Sequence, residues 1–334
     1  MQTVCFQGGR PPTQLAEDAA RGLLRAATRW TTASVAMACG LWGCGDITAT
    51  RSADRDDGEL PSPVARLARV HVVAQSQSDE LEGEPRLQVE ARFVEYRGLD
   101  ESFVRARASL LPLAVDIVAP GMCFASEDLQ PDEHSDAKGA TDRELSLVDV
   151  GDMWISIADR ERAVPLALVP DFLEYVSGVE YFYADDGGYE IPRQPDGRTP
   201  VTLRVEGAAD DDLPPFVVAT HLPPVVDAVA ETSPGLLSLR WEAQRRGLLQ
   251  VEIHAYRDEE PVGKQLTCVE ADDGETAFQL LELDRLGLGR GDYSRVTLRR
   301  FHRSTVPAGV FAHVEITTEF RAHVTAVSPR LHRR

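Results

Sequence analysis

Residues 248–256, Leu-Leu-Gln-Val-Glu-Ile-His-Ala-Tyr, decide the fold class. Leu249, Val251 and Ile253 alternate with Gln250, Glu252 and His254. Strict apolar/polar alternation turns successive side chains to opposite sides of an extended chain, the mark of a half-buried β-strand. The same period recurs on either side. Leu87, Val89, Ala91 and Phe93 alternate with Gln88, Glu90 and Arg92. Met153, Ile155 and Ile157 alternate with Trp154, Ser156 and Ala158, and Leu237, Leu239 and Trp241 with Ser238, Arg240 and Glu242. Between such runs stand Asp185-Asp186-Gly187-Gly188, Asp196-Gly197 and Asp272-Asp273-Gly274. These residues supply the backbone freedom that hairpins and loops need.

Helical period is confined to Phe278–Leu286 and the Asp171–Val176 region. The expected class is therefore all-β, built as two sandwiches of immunoglobulin-like or jelly-roll-like architecture. Leu222-Pro223-Pro224 suits a stiff boundary, because proline cannot donate to a ladder. Residues 64–222 then make the first domain and 223–334 the second, with Trp241 as a core aromatic.

Ahead of the strands lie two different segments. Gly45 to Pro63 is rich in Asp, Arg, Ser, Thr and Gly and has no apolar period, so residues 44–63 read as a solvated linker. Before it, Arg21, Arg25 and Arg29 precede an apolar run from Thr31 to Gly43, too short for a bilayer-spanning helix. The run ends in Leu41-Trp42-Gly43-Cys44, which resembles a bacterial lipobox, the motif whose cysteine is lipidated and becomes the mature N-terminus. The resemblance implies that residues 1–43 are lead and signal peptide, that Cys44 is the lipidation site, and that the protein is lipid-anchored in the cell envelope. Gly45 follows the cysteine and Asp46 comes one place late for inner-membrane retention, which leans toward the outer membrane. The polar stretch before Arg21 is unusual for a signal and points to a start codon further along, near Leu23 or Leu24.

The second half also resembles uncharacterised β-sandwich lipoproteins of high-GC Gram-negative bacteria. The shared pattern is LLSLRW at 236–241, LLQVEIHAY at 248–256, Thr267-Cys268 followed by Asp272-Asp273-Gly274, a small apolar helix and a long last strand. It implies an architecture and no activity.

Charge narrows the partners. The chain has 334 residues and a net charge of −19. Residues 1–43 carry four arginines against Glu17 and Asp18, a net +2, so the remainder stands at −21. Such a surface repels phosphate backbones, so nucleic acid is not an expected partner. An envelope protein or polysaccharide is the expected kind of partner, alongside the membrane itself. Of 35 basic residues only Lys138 and Lys264 are lysine, a bias of composition rather than a phosphate site.

Beyond Cys5, Cys39 and Cys44, two cysteines remain, Cys123 and Cys268. An oxidising compartment can bridge such a pair, but they fall in different expected domains, so a bond requires those domains to pack together. Unbridged, each is a small buried residue. Neither has zinc-ligand spacing.

Other candidate sites are weaker. Phe172, Tyr175, Tyr181, Phe182, Tyr183 and Tyr189 lie beside an acidic turn, as in sugar-binding sandwiches, which makes a carbohydrate-binding or carbohydrate-active protein using residues 172–189 the alternative function. Aromatics are equally good core residues of a strand. Asp185/Asp186, Asp210/Asp211/Asp212 and Asp272/Asp273 offer oxygens for calcium but lack EF-hand spacing. The eight histidines form no His-Glu-x-x-His motif, and no Gly-x-Ser-x-Gly elbow occurs. Gly287-Leu288-Gly289-Arg290-Gly291 precedes a strand rather than a helix, so it fails as a dinucleotide loop. No catalytic residue, metal or cofactor is expected, and the reading is of a non-enzymatic binding or structural module.

Overall fold

In the computed structural model, residues 4–5, 63–75, 87–110, 112–125, 143–173, 176–185, 198–208, 213–244 and 247–327 are described. The signal-like segment, Cys44 and nearly all of the 44–63 linker lie outside them. The strands are β1 (Val4–Cys5), β2 (Ala65–Gln75), β3 (Leu87–Arg97), β4 (Met122–Ala125), β5 (Glu144–Leu147) and β6 (Met153–Ile157). They continue with β7 (Arg160–Val164), β8 (Leu166–Leu173), β9 (Val176–Ala184), β10 (Thr199–Val205), β11 (Phe216–Leu222) and β12 (Ala228–Ser233). The last are β13 (Leu236–Trp241), β14 (Leu248–Arg257), β15 (Glu260–Ala271), β16 (Glu275–Gln279), β17 (Tyr293–Ala308) and β18 (Phe311–Val327). The fold is all-β and sandwich-like.

Eleven strands form one large sheet in the order β1-β4-β15-β14-β17-β18-β2-β3-β5-β9-β8, with β3 also pairing β9. Two small sheets, β11-β10-β6-β7 and β12-β13-β16, supply the second layer. The alternating residues do what their period requires. Leu87, Val89, Ala91 and Phe93 of β3, Leu249, Val251 and Ile253 of β14, and Val296 and Leu298 of β17 turn inward from the large sheet. Met153, Ile155 and Ile157 of β6 meet them from one small sheet, and Leu237, Leu239 and Trp241 of β13 from the other. All of these belong to one continuous apolar cluster.

The expected division at 222/223 therefore needs correction. Each side of it does supply its own strands to the large sheet and its own small sheet. But β18, from the second side, runs parallel to β2, from the first, over Val314–Arg321 against Ala68–Gln75. β4 of the first side crosses to pair with β15 of the second. The described residues between 63 and 327 fall in one compact unit. Nor is Pro223-Pro224 a free hinge, because the carbonyls of Pro224 and Val225 are both held by Arg300 Nη1, at 3.2 and 3.1 Å.

The long β17–β18 hairpin carries its tip across to the first half. There Phe311 packs against Phe93 and Phe216, with ring centroids 5.5 and 6.4 Å apart. Where β5 meets β9, Gly178 adopts φ +123°, and a Cβ there would stand 2.0 Å from the Leu147 carbonyl oxygen. Only glycine lets those two backbones approach so closely.

Helical structure departs from expectation at residues 101–107 and 114–117, which are helical, and at 171–173 and 176, which are not. Residues 171–173 and 176 onward are strand, since β8 and β9 pair across this region. The helix Glu101–Arg107 follows Asp100, whose side chain makes no capping bond, and is supported by an Arg105–Glu101 pair at i,i+4 spacing, 2.7 Å. The expected helix near Phe278–Leu286 is present as Leu280–Arg285. No helix among the described residues is long and apolar enough to cross a membrane.

One shared core predicts one unfolding transition. Phe93→Ala, at a fully buried position that touches Tyr181, Phe216 and Phe311, should cost about 3–5 kcal/mol. In urea titrations of single-tryptophan versions, the shift should be equal whether Trp154 or Trp241 reports; unequal shifts would mean that the halves unfold separately.

Candidate functional site

The outer face of the large sheet carries the densest chemistry. The odd-numbered residues from Arg295 to Thr305 on β17 and from His313 to Thr325 on β18, with their neighbours on β14 and β2, point away from the apolar core, and many are charged. Arg299 of β17 lies between two carboxylates. Its Nη1 donates to Glu252 Oε1 at 2.6 Å, and its Nε and Nη2 grip Glu319 at 2.7 and 2.8 Å. Glu319, fully buried, is also bound by His71 Nε2 at 3.0 Å and Arg321 Nε at 2.9 Å. Burial alone would push the Glu319 carboxyl up. The Arg299 charge, the His71 and Arg299 bonds and the Arg321 charge override it and hold the group well below the usual carboxylate range.

A strap of chain is tied down on this face. Arg105 makes two bonds to Glu315, at 2.6 and 3.1 Å, and Asp116 pairs with Arg303. Under the helix Glu101–Arg107, Phe103 and Val104 close a small apolar cluster with Leu67 and Val94. The strap then enters β4, where Cys123 stands opposite Cys268 and is joined to it by a disulfide. The two cysteines considered as a pair are therefore bridged, because β4 crosses between the halves instead of staying with its own.

Beside the disulfide lies Glu270, its carboxylate within 4.8 Å of both sulfurs. Its carboxyl is pushed up to about 7, first by burial and then by the Asp273 charge, with a Thr276 bond working the other way. With both sulfurs in the disulfide, no thiolate is left here for a metal.

The aromatic segment does not form a sugar platform among the described residues. Tyr181 points into the core, where its hydroxyl donates to Asp149 Oδ1 at 2.7 Å and accepts from the Val150 amide at 3.0 Å. Burial and the Asp149 bond push its hydroxyl up, away from any role as a base. Phe182, on the opposite side of β9, is exposed. Tyr175, Tyr189 and the Phe172 side chain fall outside the described residues.

Of the acidic turns, Asp185 accepts from the Leu87 amide at 2.8 Å. Asp186 and Asp210–Asp212 lie outside the described residues. Asp272 is not a calcium ligand but the centre of a buried polar knot. Its two oxygens accept from Arg300 Nε and Nη2 at 2.7 and 2.9 Å and from Trp241 Nε1 at 2.8 Å. The remaining Arg300 bonds go to the carbonyls of Pro224, Val225 and Glu242. Trp241 is the core aromatic expected of β13, with its polar edge satisfied by this knot.

Sequence reading missed both ion clusters. Arg299-Arg300 side by side on an alternating strand is the signal that was available, since such a pair must send one guanidinium to each face. What the arrangement does chemically follows from its pairing. The Arg299–Glu319 and Arg105–Glu315 carboxylates are held ionised by their guanidinium partners. They make a fixed, ionised array on this face, not a store of mobile protons.

Two measurements test these assignments. Arg300→Met should cost about 3–5 kcal/mol, because it leaves the Asp272 charge buried without its counter-charge; the double change Arg300→Met with Asp272→Leu should recover part of that in urea titration. Glu270 has its folded-state value raised above the unfolded one, so its stability contribution is present in acid and is lost as pH rises from about 4.5 toward about 7. Glu270→Gln should therefore stabilise the protein by on the order of 1–2 kcal/mol above neutrality, after allowing for solvent screening, and by little in mild acid. Comparison of the chain with known protein families, with curated proteins and with solved structures finds no match.

Proposed function

We propose that this chain is a non-enzymatic, lipid-anchored protein of the cell envelope, a binding or structural module held to the membrane through Cys44. The disulfide between Cys123 and Cys268 is the observation that carries the reading. Stable disulfides belong to oxidising compartments, which is where the Leu41-Trp42-Gly43-Cys44 signal would send the chain. The two features are independent, one in the sequence before the fold and one inside it.

The surface agrees with a binding role. The outer face of the large sheet presents guanidinium and carboxylate groups fixed by one another, a geometry suited to recognising a polar partner. That partner is an envelope protein or polysaccharide. Gly45 after the cysteine favours the outer membrane over the inner. The part after residue 43 carries a net charge of −21, which disfavours anionic lipid, so attachment rests on the acyl chains.

Cys44→Ala should move the protein from the membrane fraction to the soluble envelope fraction. Mass spectrometry of the wild-type N-terminus should show an acylated cysteine at position 44. Retention of the variant in membranes, or an intact residue 43–44 bond in the mature protein, would refute the anchor.

A further inference from the structure

Neither cysteine has zinc-ligand spacing in the sequence, yet the fold assembles three metal-binding groups at one point. Cys123 and Cys268 stand directly opposite each other in the antiparallel ladder of β4 and β15. Glu270 lies two residues beyond Cys268 on the same strand, so its side chain leaves the sheet on the same side. The two sulfurs and a Glu270 carboxylate oxygen all lie within 4.8 Å of one another. The Thr276 hydroxyl of β16 hydrogen-bonds the Glu270 carboxylate and fixes its orientation.

We propose that reduction of the Cys123–Cys268 disulfide turns this point into a zinc site, with two thiolates and the Glu270 carboxylate as protein ligands and water at the fourth corner. A dithiol is the reductant. It gives up two electrons and two protons and closes its own sulfur–sulfur bond, while the protein's bond opens to two thiols. Zinc then displaces the two thiol protons to solvent and forms two zinc–sulfur bonds.

The ligand set selects the ion. Two thiolates with one carboxylate suit zinc, whose bonds run about 2.3 Å to sulfur and about 2.0–2.2 Å to a carboxylate oxygen. Calcium and magnesium favour all-oxygen sets. The corners of a zinc tetrahedron stand about 3.5–3.8 Å apart, a span that side-chain rotation reaches from the positions the three groups already hold. The strands keep those positions once the sulfur–sulfur bond is gone. β4 stays paired with β15 from Met122 to Ala125, and the Gly121 amide donates to the Val269 carbonyl at 2.7 Å. The strap that leads into β4 is tied down separately, by Arg105 to Glu315 and by Asp116 to Arg303. Both sulfurs lie in the core and Glu270 is half-buried, so the carboxylate forms the solvent side of the site. The inference stands apart from the envelope reading, since it needs only a dithiol and zinc.

Cobalt(II) is the probe, because its bonds to thiolate absorb in the near ultraviolet. The full-length chain, reduced with a dithiol that is then removed without air, should take up cobalt with this absorption. Cys123→Ser with Cys268→Ser, treated identically, should lack it, although Cys5, Cys39 and Cys44 remain. Glu270→Gln should keep the absorption and bind cobalt at least about tenfold more weakly. In a second arm that needs no variant, zinc should slow alkylation of Cys123 and Cys268 relative to the reduced metal-free chain, read by peptide mass spectrometry. That arm decides if the double variant does not fold. Undiminished absorption in the double variant would overturn the proposal, as would unchanged affinity in Glu270→Gln. So would zinc protection confined to Cys5, Cys39 or Cys44, or a reduced chain that loses its near-ultraviolet circular dichroism and does not regain it with zinc.

Discussion

The structure depends on the parallel pairing of β18 with β2. Eight residues of the last strand lie against eight of the first long one, and this contact turns two half-sheets into one. The completed sheet is covered on both faces. The inner face is covered by the two small sheets. The outer face is covered, among the described residues, by the strap, the helix Glu101–Arg107 and the crossed ion pairs of Arg299, Glu319 and His71. A carboxylate with no solvent exposure on the outer side of a sheet is the result.

Burying charge in this way is tolerable only when each group finds partners. The chain meets that condition with arginine, whose planar fork binds a carboxylate with two nitrogens and still has donors to spare. Arg300 shows the limiting case, with Nε, Nη1 and Nη2 all engaged by Asp272 and three carbonyls. These carbonyls belong to the crossing between the two halves and to the turn after β13. One side chain thereby fixes these two segments and the turn at Asp272, something apolar packing does not do with equal directionality.

Much of the fold was legible because strand alternation is local. The inward sets at Leu87–Phe93, Met153–Ile157, Leu237–Trp241 and Leu249–Ile253 could each be read from a few neighbours in sequence. What could not be read is which strand lies beside which. Alternation says that Val70 and Ile316 face inward but not that their strands pair, so the two halves read as separate bodies. The same blindness left the Cys123–Cys268 bond open, since it exists only because β4 leaves its half. Residue type misled at Tyr181, where an aromatic beside aspartates suggested a sugar site. Its hydroxyl is instead a core anchor on Asp149, a choice set by strand phase. Asp272 was hidden in the same manner, because Asp-Asp-Gly spells a turn whether or not its first carboxylate turns inward. At residues 171–173 short helical period gave way to the pairing of β8 with β9.

The β18–β2 pairing also sets when the molecule can finish folding. His71 and Glu319, which meet across it, are 248 residues apart in the chain. Contacts so distant in sequence close late and slowly, and the large sheet cannot be completed until the final strand has emerged. Until then the growing chain has an open sheet centre and no finished core. A polypeptide of this topology stays loose until β18 is available, and locks only when that strand slots in beside β2.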